Sequence, residues 1–290
     1  MKINNLKHLG LLIFACIIIN ANAQENRQDV VVPLSKPGAN GSLRVNLIFG
    51  SIKVEGYNGK EVIVKASSSA NEEGRNILDK ERHRRFQFEG KEENDDDLKG
   101  LKKISSSSFE LDIEEKDNQV EISSNDFINS TDLEIKVPVN FSLTLKTVNN
   151  GTITVNNVKG DHEIENINGD TKMYGISGSI VASSINGKIE ISMDELSPNK
   201  PMSFANMNQK IDITLPANTK ATLKMSSKMG EIYTDFDVEM VKTDPEVKQS
   251  SETNTYRVAV SKYITAKLNG GGPEFNLKNF NGNIIVRKKK

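Results

Sequence analysis

The sequence predicts an all-β chain built as a β-solenoid, with about 18 residues per coil in two nine-residue edges. Three observations carry that prediction. First, glycine recurs at Gly151, Gly160, Gly169, Gly178 and Gly187, nine residues apart each time. A fixed period is the signature of a repeat architecture. Second, apolar residues follow each glycine at fixed offsets: Ile153 and Val155, then Val158; Ile164, then Ile167; Ile180 and Ala182, then Ile185. The step from +2 to +4 has the parity of a strand with one buried face, and the step to +7 breaks it. The chain therefore turns a corner between +4 and +7, and again around the glycine. Third, the corners alternate. Asn-Gly falls at 150–151, 168–169 and 186–187, and Lys159-Gly160 and Ser177-Gly178 fall between them. Two corner types imply two edges per coil.

Outward charges agree with that register. Neighbours 18 apart place Asp170 beside Lys188 and Lys172 beside Glu190, both attractive. Neighbours nine apart would place Asp161 beside Asp170, and like charges in a cross-strand pair are destabilising. The competing reading is an antiparallel meander, because Asn-Gly is also a strong hairpin signal. The parity break and the corners without asparagine weigh against it. The inward row is read as Val155, Ile164, Ile167, Ile176, Ile185 and Ile191. The corner glycines are read as Gly151, Gly160, Gly169, Gly178 and Gly187, with Gly282 at a last Asn-Gly corner. Glycine suits such corners because it takes positive φ without steric cost.

Taken from the start, residues 1–23 read as a secretory signal. Lys2 and Lys7 form the basic region, Leu9 to Ile19 the apolar core, and Ala21-Asn22-Ala23 the cleavage site, which leaves Gln24 first. A lipid-modified Cys16 is the alternative. Three isoleucines follow Cys16, so the apolar core runs past it and cleavage after Ala23 is better supported. Cys16 is the only cysteine, so the exported chain is expected to lack disulfides. No later apolar run is long enough to span a membrane as a helix. The predicted location is the periplasm, the outer envelope or the cell surface.

Residues 24–70 carry an early echo of the period at Gly41, Gly50 and Gly59, and are expected to form N-terminal coils. Residues 71–108 form a charged insertion or loop, with Arg82-His83-Arg84-Arg85 and Asp95-Asp96-Asp97. Residues 109–290 are expected to be the main repeat domain. It opens on a hairpin around Lys116-Asp117-Asn118 and contains a second internal repeat. Leu133 to Asn140 is echoed by Ile211 to Asn218, and Thr144-Leu145-Lys146 by Thr222-Leu223-Lys224, at an offset of 78. Pro138 and Pro216 cannot donate to a ladder and are placed at strand ends.

These pieces together resemble a family of bacterial exported β-strand-repeat proteins grouped as adhesins, akin to the head domain of autotransporter adhesins. The matching stretches are LEIKVPVNFSLTLKTVNNGTITV, the Asn-Gly repeats of 149–191, IDITLPANTKATLKMSSKMGEIYTDF and LNGGGPEFNLKNFNGNIIVRKK. The resemblance covers 132–290. It implies a right-handed β-helix-like fold at the cell envelope and brings no catalytic residue.

Composition narrows the function classes. A formal net charge of −1 does not suit nucleic acid or anionic lipid as the main partner. His162 occupies an inward slot and His83 a charged stretch, so neither reads as a metal ligand or base. Asp95-Asp96-Asp97 lacks the spacing of a calcium loop. No nucleophile elbow or phosphate loop is present. No cofactor or metal is expected. The leading reading is a non-catalytic binding scaffold for an envelope polymer or protein partner. The alternative is a carbohydrate-active β-helix enzyme, whose acids would come together across coils. Two or three carboxylates with Lys or Arg in one groove would favour that alternative. An aromatic content of 6% argues against sugar-stacking platforms. The basic end Arg287-Lys288-Lys289-Lys290 reads as a guard on an open edge.

Overall fold

The computed structural model describes residues 27–70, 111–124, 126, 129–242, 246–252, 255–261 and 263–290. The signal segment with Cys16 and Ala23, and the charged insertion 71–108, lie outside the described residues. Every regular element described is a strand. Twenty strands form one mixed sheet that curls into a nearly closed, barrel-like wall, and a separate antiparallel pair joins Glu246–Glu252 to Thr255–Ser261. No described helix is long and apolar enough to cross a membrane.

The wall consists of two rows of strands that share one core. The long row runs Gln119–Ser123, Gly41–Phe49, Phe141–Asn149, Lys159–Asn166, the second half of Thr171–Ser184, Met202–Asn206, Glu274–Asn279 and Ala221–Ser227, all parallel. The short row runs Asn129–Pro138, Ile52–Tyr57, Ile153–Asn156, the first half of Thr171–Ser184, Ile189–Leu196, Ile211–Leu215, Ile284–Lys288 and Ile232–Thr234, also parallel. Thr171–Ser184 belongs to both rows, because it carries its ladder through the corner.

The 18-residue register is present in the middle of the wall. Ile153 pairs with Thr171 and Thr171 with Ile189, and Gly160 pairs with Gly178. Lys172 stands beside Glu190, and the Lys188 backbone N–H donates to Asp170 at 3.1 Å. Away from the centre the uniform coil gives way. The next step is 22 residues, from Ile189 to Ile211. Both ends turn antiparallel: Glu61–Ala70 lies against Asn129–Pro138 and Arg27–Pro33 against Glu61–Ala70, while Ile264–Leu268 lies against Ala221–Ser227. The sheet is thus mixed, where the sequence pattern alone implied one parallel winding. Antiparallel strands need only short connections, which lets the chain close off its terminal coils locally.

Stacking order also departs from chain order. The coil 41–57 is inserted between 119–138 and 141–156. The coil 274–288 is likewise inserted between 202–215 and 221–234. The internal repeat is therefore architectural. At Pro138 and again at Pro216 the chain leaves the short row and steps over a coil supplied by a distant part of the chain. The described residues of segments 24–70 and 109–290 consequently share a single hydrophobic core.

Side chains alternate between core and surface along most strands, and the alternation resets at Tyr174–Gly175, where Thr171–Ser184 passes the corner. Val155, Ile164, Ile176 and Ile191 are buried. Ile185 is 40% exposed and Ile167 half-buried, a correction to the predicted inward row. The cause is parity. The long strands keep alternating through buried Asn166 and Ser184, so the next residue, 167 or 185, points out. Asn166 and Ser184 go inward because they bind corner carbonyls: Asn166 Nδ2 donates to the Gly151 carbonyl at 2.9 Å and Ser184 Oγ to that of Gly187 at 3.2 Å.

The predicted corner glycines fall into two groups, and only some of them stand at corners. Gly160 and Gly178 lie inside strands, and the corner beside them is made by Asn157 (φ 57°) and Gly175 (φ 67°). Gly151, Gly169 and Gly187 do occupy corners, but none has a left-handed φ; Asn150 carries that conformation with φ 54°. What requires glycine there is close approach. A Cβ on Gly169 would overlap the Gly151 carbonyl, and one on Gly187 the Gly169 carbonyl. Gly178 (φ 124°) and Gly282 (φ 151°) do use backbone angles open to glycine.

Candidate functional site

The N-terminal ends of the long-row strands leave an open groove of about 890 Å³ that crosses successive coils. Its floor includes Gly160 and Gly178, which stand in register on adjacent strands. A Cβ on Gly178 would strike the Gly160 carbonyl, so the floor is bare backbone by necessity. The turns 197–200 and 216–220 contribute to its walls.

Charge is concentrated along this groove. Asp161, Asp194 and Glu195 line it together with Lys159, Lys200 and Lys220. Lys200 Nζ donates to both Asp161 oxygens at 2.9 and 2.7 Å, and Ser179 Oγ donates to Asp161 at 2.6 Å. These bonds, the Lys200 one first, hold the Asp161 carboxyl below the usual aspartate range despite partial burial. Lys159 pairs with Glu195 at 3.1 Å and Lys289 with Asp194 at 2.6 Å. A general acid needs a raised pKa and usually a desolvated pocket. Here each carboxylate already faces an ammonium group.

His162 adjoins Asp161 in sequence but points the other way, into the core, where it is 3% exposed and pairs in register with Leu143 and Ile180. Neither ring nitrogen has a well-aligned hydrogen-bond partner. Burial pushes its pKa down to about 4, against a weaker opposing pull from the Ser177 backbone and the Asp161 charge. The imidazole is therefore neutral at physiological pH and out of reach of the groove. His83 lies outside the described residues.

A second polar cluster lies on the short row. Tyr174 donates to Glu190 at 2.6 Å, while Lys210 and Arg287 bind Asp212 at 2.9 and 2.8 Å. The bond to Glu190 pushes the Tyr174 pKa up to about 12. These groups satisfy one another and close the network. Among the described residues no group of three His, Cys, Asp or Glu side chains converges as a metal site.

Sequence reasoning placed Asp161, Gly160 and Gly178 on the repeat but did not assemble the groove. Lys200 stands 39 residues from Asp161, and no spacing rule links the two.

No family model matches the chain, and no curated protein matches it. Solved structures give remote likenesses. A putative cell adhesion protein from Clostridium sporogenes shares 12% identity over 91% of this chain and 100% of its own, with a TM-score of 0.44. A putative adhesin from Bacteroides fragilis shares 8% over 92% and 98%, with a TM-score of 0.32. A putative lipid binding protein from Parabacteroides distasonis shares 8% over 91% and 97%, with a TM-score of 0.24. At these distances the names describe those proteins alone. The likeness to autotransporter heads rests only on the sequence.

Proposed function

We propose that this protein is an exported, non-catalytic binding scaffold that presents its groove to an extended polar polymer at the cell envelope. The carrying observation is the groove itself: an open backbone floor, crossing coil after coil, edged by carboxylate–ammonium pairs. A regular floor with strands about 4.8 Å apart offers repeated, weak, similar contacts. Repetition raises avidity without any single strong site. The central coils are a short solenoid of 18 residues per turn, supported by the registers around Gly160 and Ile153, and its right hand is what the sequence resemblance implies. Export rests on the basic, apolar and A-x-A pattern of residues 1–23.

The test is capture of envelope polysaccharides on an array by the exported chain, with Lys200→Ala and Asp161→Ala beside it. Binding lost in both variants, with the fold intact by circular dichroism, supports the groove. Binding equal in all three proteins overturns it.

One observation favours a second reading, a carbohydrate-active enzyme: three carboxylates and three lysines do share one groove. The pairing of each carboxylate with a lysine argues against a protonated acid among them. Cleavage of a bound polymer, abolished by Glu195→Gln or Asp194→Asn, would establish the enzyme instead.

A further inference from the structure

At the corner opposite the groove, one outward position is apolar on six successive strands. Ile48, Val148, Ile167, Ile185, Met207 and Phe280 stand in this ladder, fixed by the registers of the long row and the corner hydrogen bonds. Exposure is greatest on its last three rungs, 40% at Ile185, 48% at Met207 and 44% at Phe280. Beside it runs a row of amides. Asn168 donates to Asn149, Asn186 to Asn168 and Asn208 to Asn186, at 2.7–2.9 Å. Each of those donors keeps a second N–H for an outside acceptor. On the other side the surface is smooth at the middle rungs, where Ser183 and Ala205 stand next to Ile185 and Met207.

A continuous apolar stripe about 24 Å long, at a β-ladder spacing of about 4.8 Å, is unusual on a protein that stays alone. We propose that it is the contact surface for a second copy of this chain. The copies lie antiparallel, about a two-fold axis in the contact plane that passes between the Ile185 and Met207 rungs. Such an interface is isologous: Ile185 faces the partner's Met207, and Ile167 faces the partner's Phe280. Charge selects this register. The flanking outward row reads Lys146, Glu165, Ser183, Ala205, Lys278. Reversed about that axis, it sets Glu165 against the partner's Lys278 on both sides, with no like charges opposed. Glu165 already meets Lys146 at 3.0 Å. Lys278 is exposed and has no ion-pair partner among the described residues. The same alternation of sign argues against an anionic lipid surface, which calls for a basic cluster. A reversed ladder of identical spacing sets four rungs, Ile167, Ile185, Met207 and Phe280, against their apolar counterparts.

The test combines sedimentation with disulfide trapping of the full chain in a Cys16→Ser background. The wild-type chain is expected to dimerise reversibly, and Met207→Lys to weaken the dimer by about tenfold or more. Lys278→Glu should weaken it too, and adding Glu165→Lys should restore it. A mixture of Ile167→Cys and Phe280→Cys chains should form the mixed disulfide. Neither should form its own, because like sites lie three rungs, about 14 Å, apart, beyond the roughly 7 Å disulfide limit. A monomer at all concentrations, a dimer indifferent to Met207→Lys, or homodisulfides in place of the mixed one would each overturn the proposal. Polymer capture by the groove lies at the other end of the same strands, so its success or failure is read independently.

Discussion

His162 is where a single side chain sets the acid response of the fold. Its imidazole is buried between Leu143 and Ile180, with a pKa of about 4 against an ordinary 6.5. A depressed value in the folded state means that protonation favours the unfolded chain. Stability is intact at pH 7, starts to fall as pH drops through 6.5 and has lost this contribution by about pH 4. The full difference is roughly 3 kcal/mol. His162→Leu should therefore narrow the loss of stability between pH 7 and pH 4.5 relative to the parent, as measured by urea unfolding at both pH values. Carboxylates such as Asp161, held low chiefly by Lys200 and only weakly by His162, add their own acid loss in both proteins and largely cancel in the comparison. An unchanged gap would mean that the ring finds a partner the geometry does not show. The corner at Gly169 gives a second residue-scale outcome. Gly169→Ala puts a methyl group against the Gly151 carbonyl. Its cost should exceed the ~1 kcal/mol by which the two residues differ in propensity, and the sign is reversed, since alanine is normally preferred. Thermal or urea unfolding reads it directly.

Within the strands, what decides stability is which face a residue takes. Ile189→Asp buries an unpaired charge in the core and should abolish folding of the central coils, whereas Ile185→Asp should leave circular dichroism and unfolding nearly unchanged. The same contrast holds for two asparagines two residues apart. Asn166 is buried and supports the Gly151 and Asp170 carbonyls at 2.9 and 3.1 Å, so Asn166→Ala should cost about 1–3 kcal/mol. Asn168 stands in the exposed amide ladder, and Asn168→Ala should stay within about 0.5 kcal/mol. These pairs show what was legible in the sequence. The nine-residue period, the 18-residue register and the inward Val155, Ile164, Ile176 and Ile191 follow from parity and corner chemistry alone. Ile167 and Ile185 point outward because their strands run straight past +4 with no corner before +7, and the polar Asn166 and Ser184 hold the inward +6 slot by binding corner carbonyls. The groove was illegible for another reason. Lys159 and Glu195 lie 36 residues apart and Asp161 and Lys200 lie 39 apart, so only the winding of the coils brings them together.

For the molecule as a whole, order in space differs from order in sequence, and that sets how it comes apart. In a simple stack of repeats, deleting the last one removes a single interface and leaves the rest standing, because stability is a sum of neighbours. Here the last segment is not last in space. Glu274–Asn279 lies between Met202–Asn206 and Ala221–Ser227, and Ile284–Lys288 lies between Ile211–Leu215 and Ile232–Thr234. Removing residues 270–290 takes out Phe275, Leu277, Ile284 and Val286, all buried, and leaves two parallel ladders with no strand between them. The coil 221–234 then keeps only the strand Ile264–Leu268 and loses its ladders to the rest of the wall. A chain ending at Asn269 should therefore lose ordered structure across 202–234. New protease cleavage should appear between residues 194 and 242, while 141–193, whose coils stack on one another by 18-residue steps, stays protected. A synthetic peptide of residues 270–290, added in trans, should restore that protection, because its strands pair on both sides. If the truncated chain resists protease as the full one does, the last coil is peripheral and the stepped-over arrangement at Pro216 is wrong.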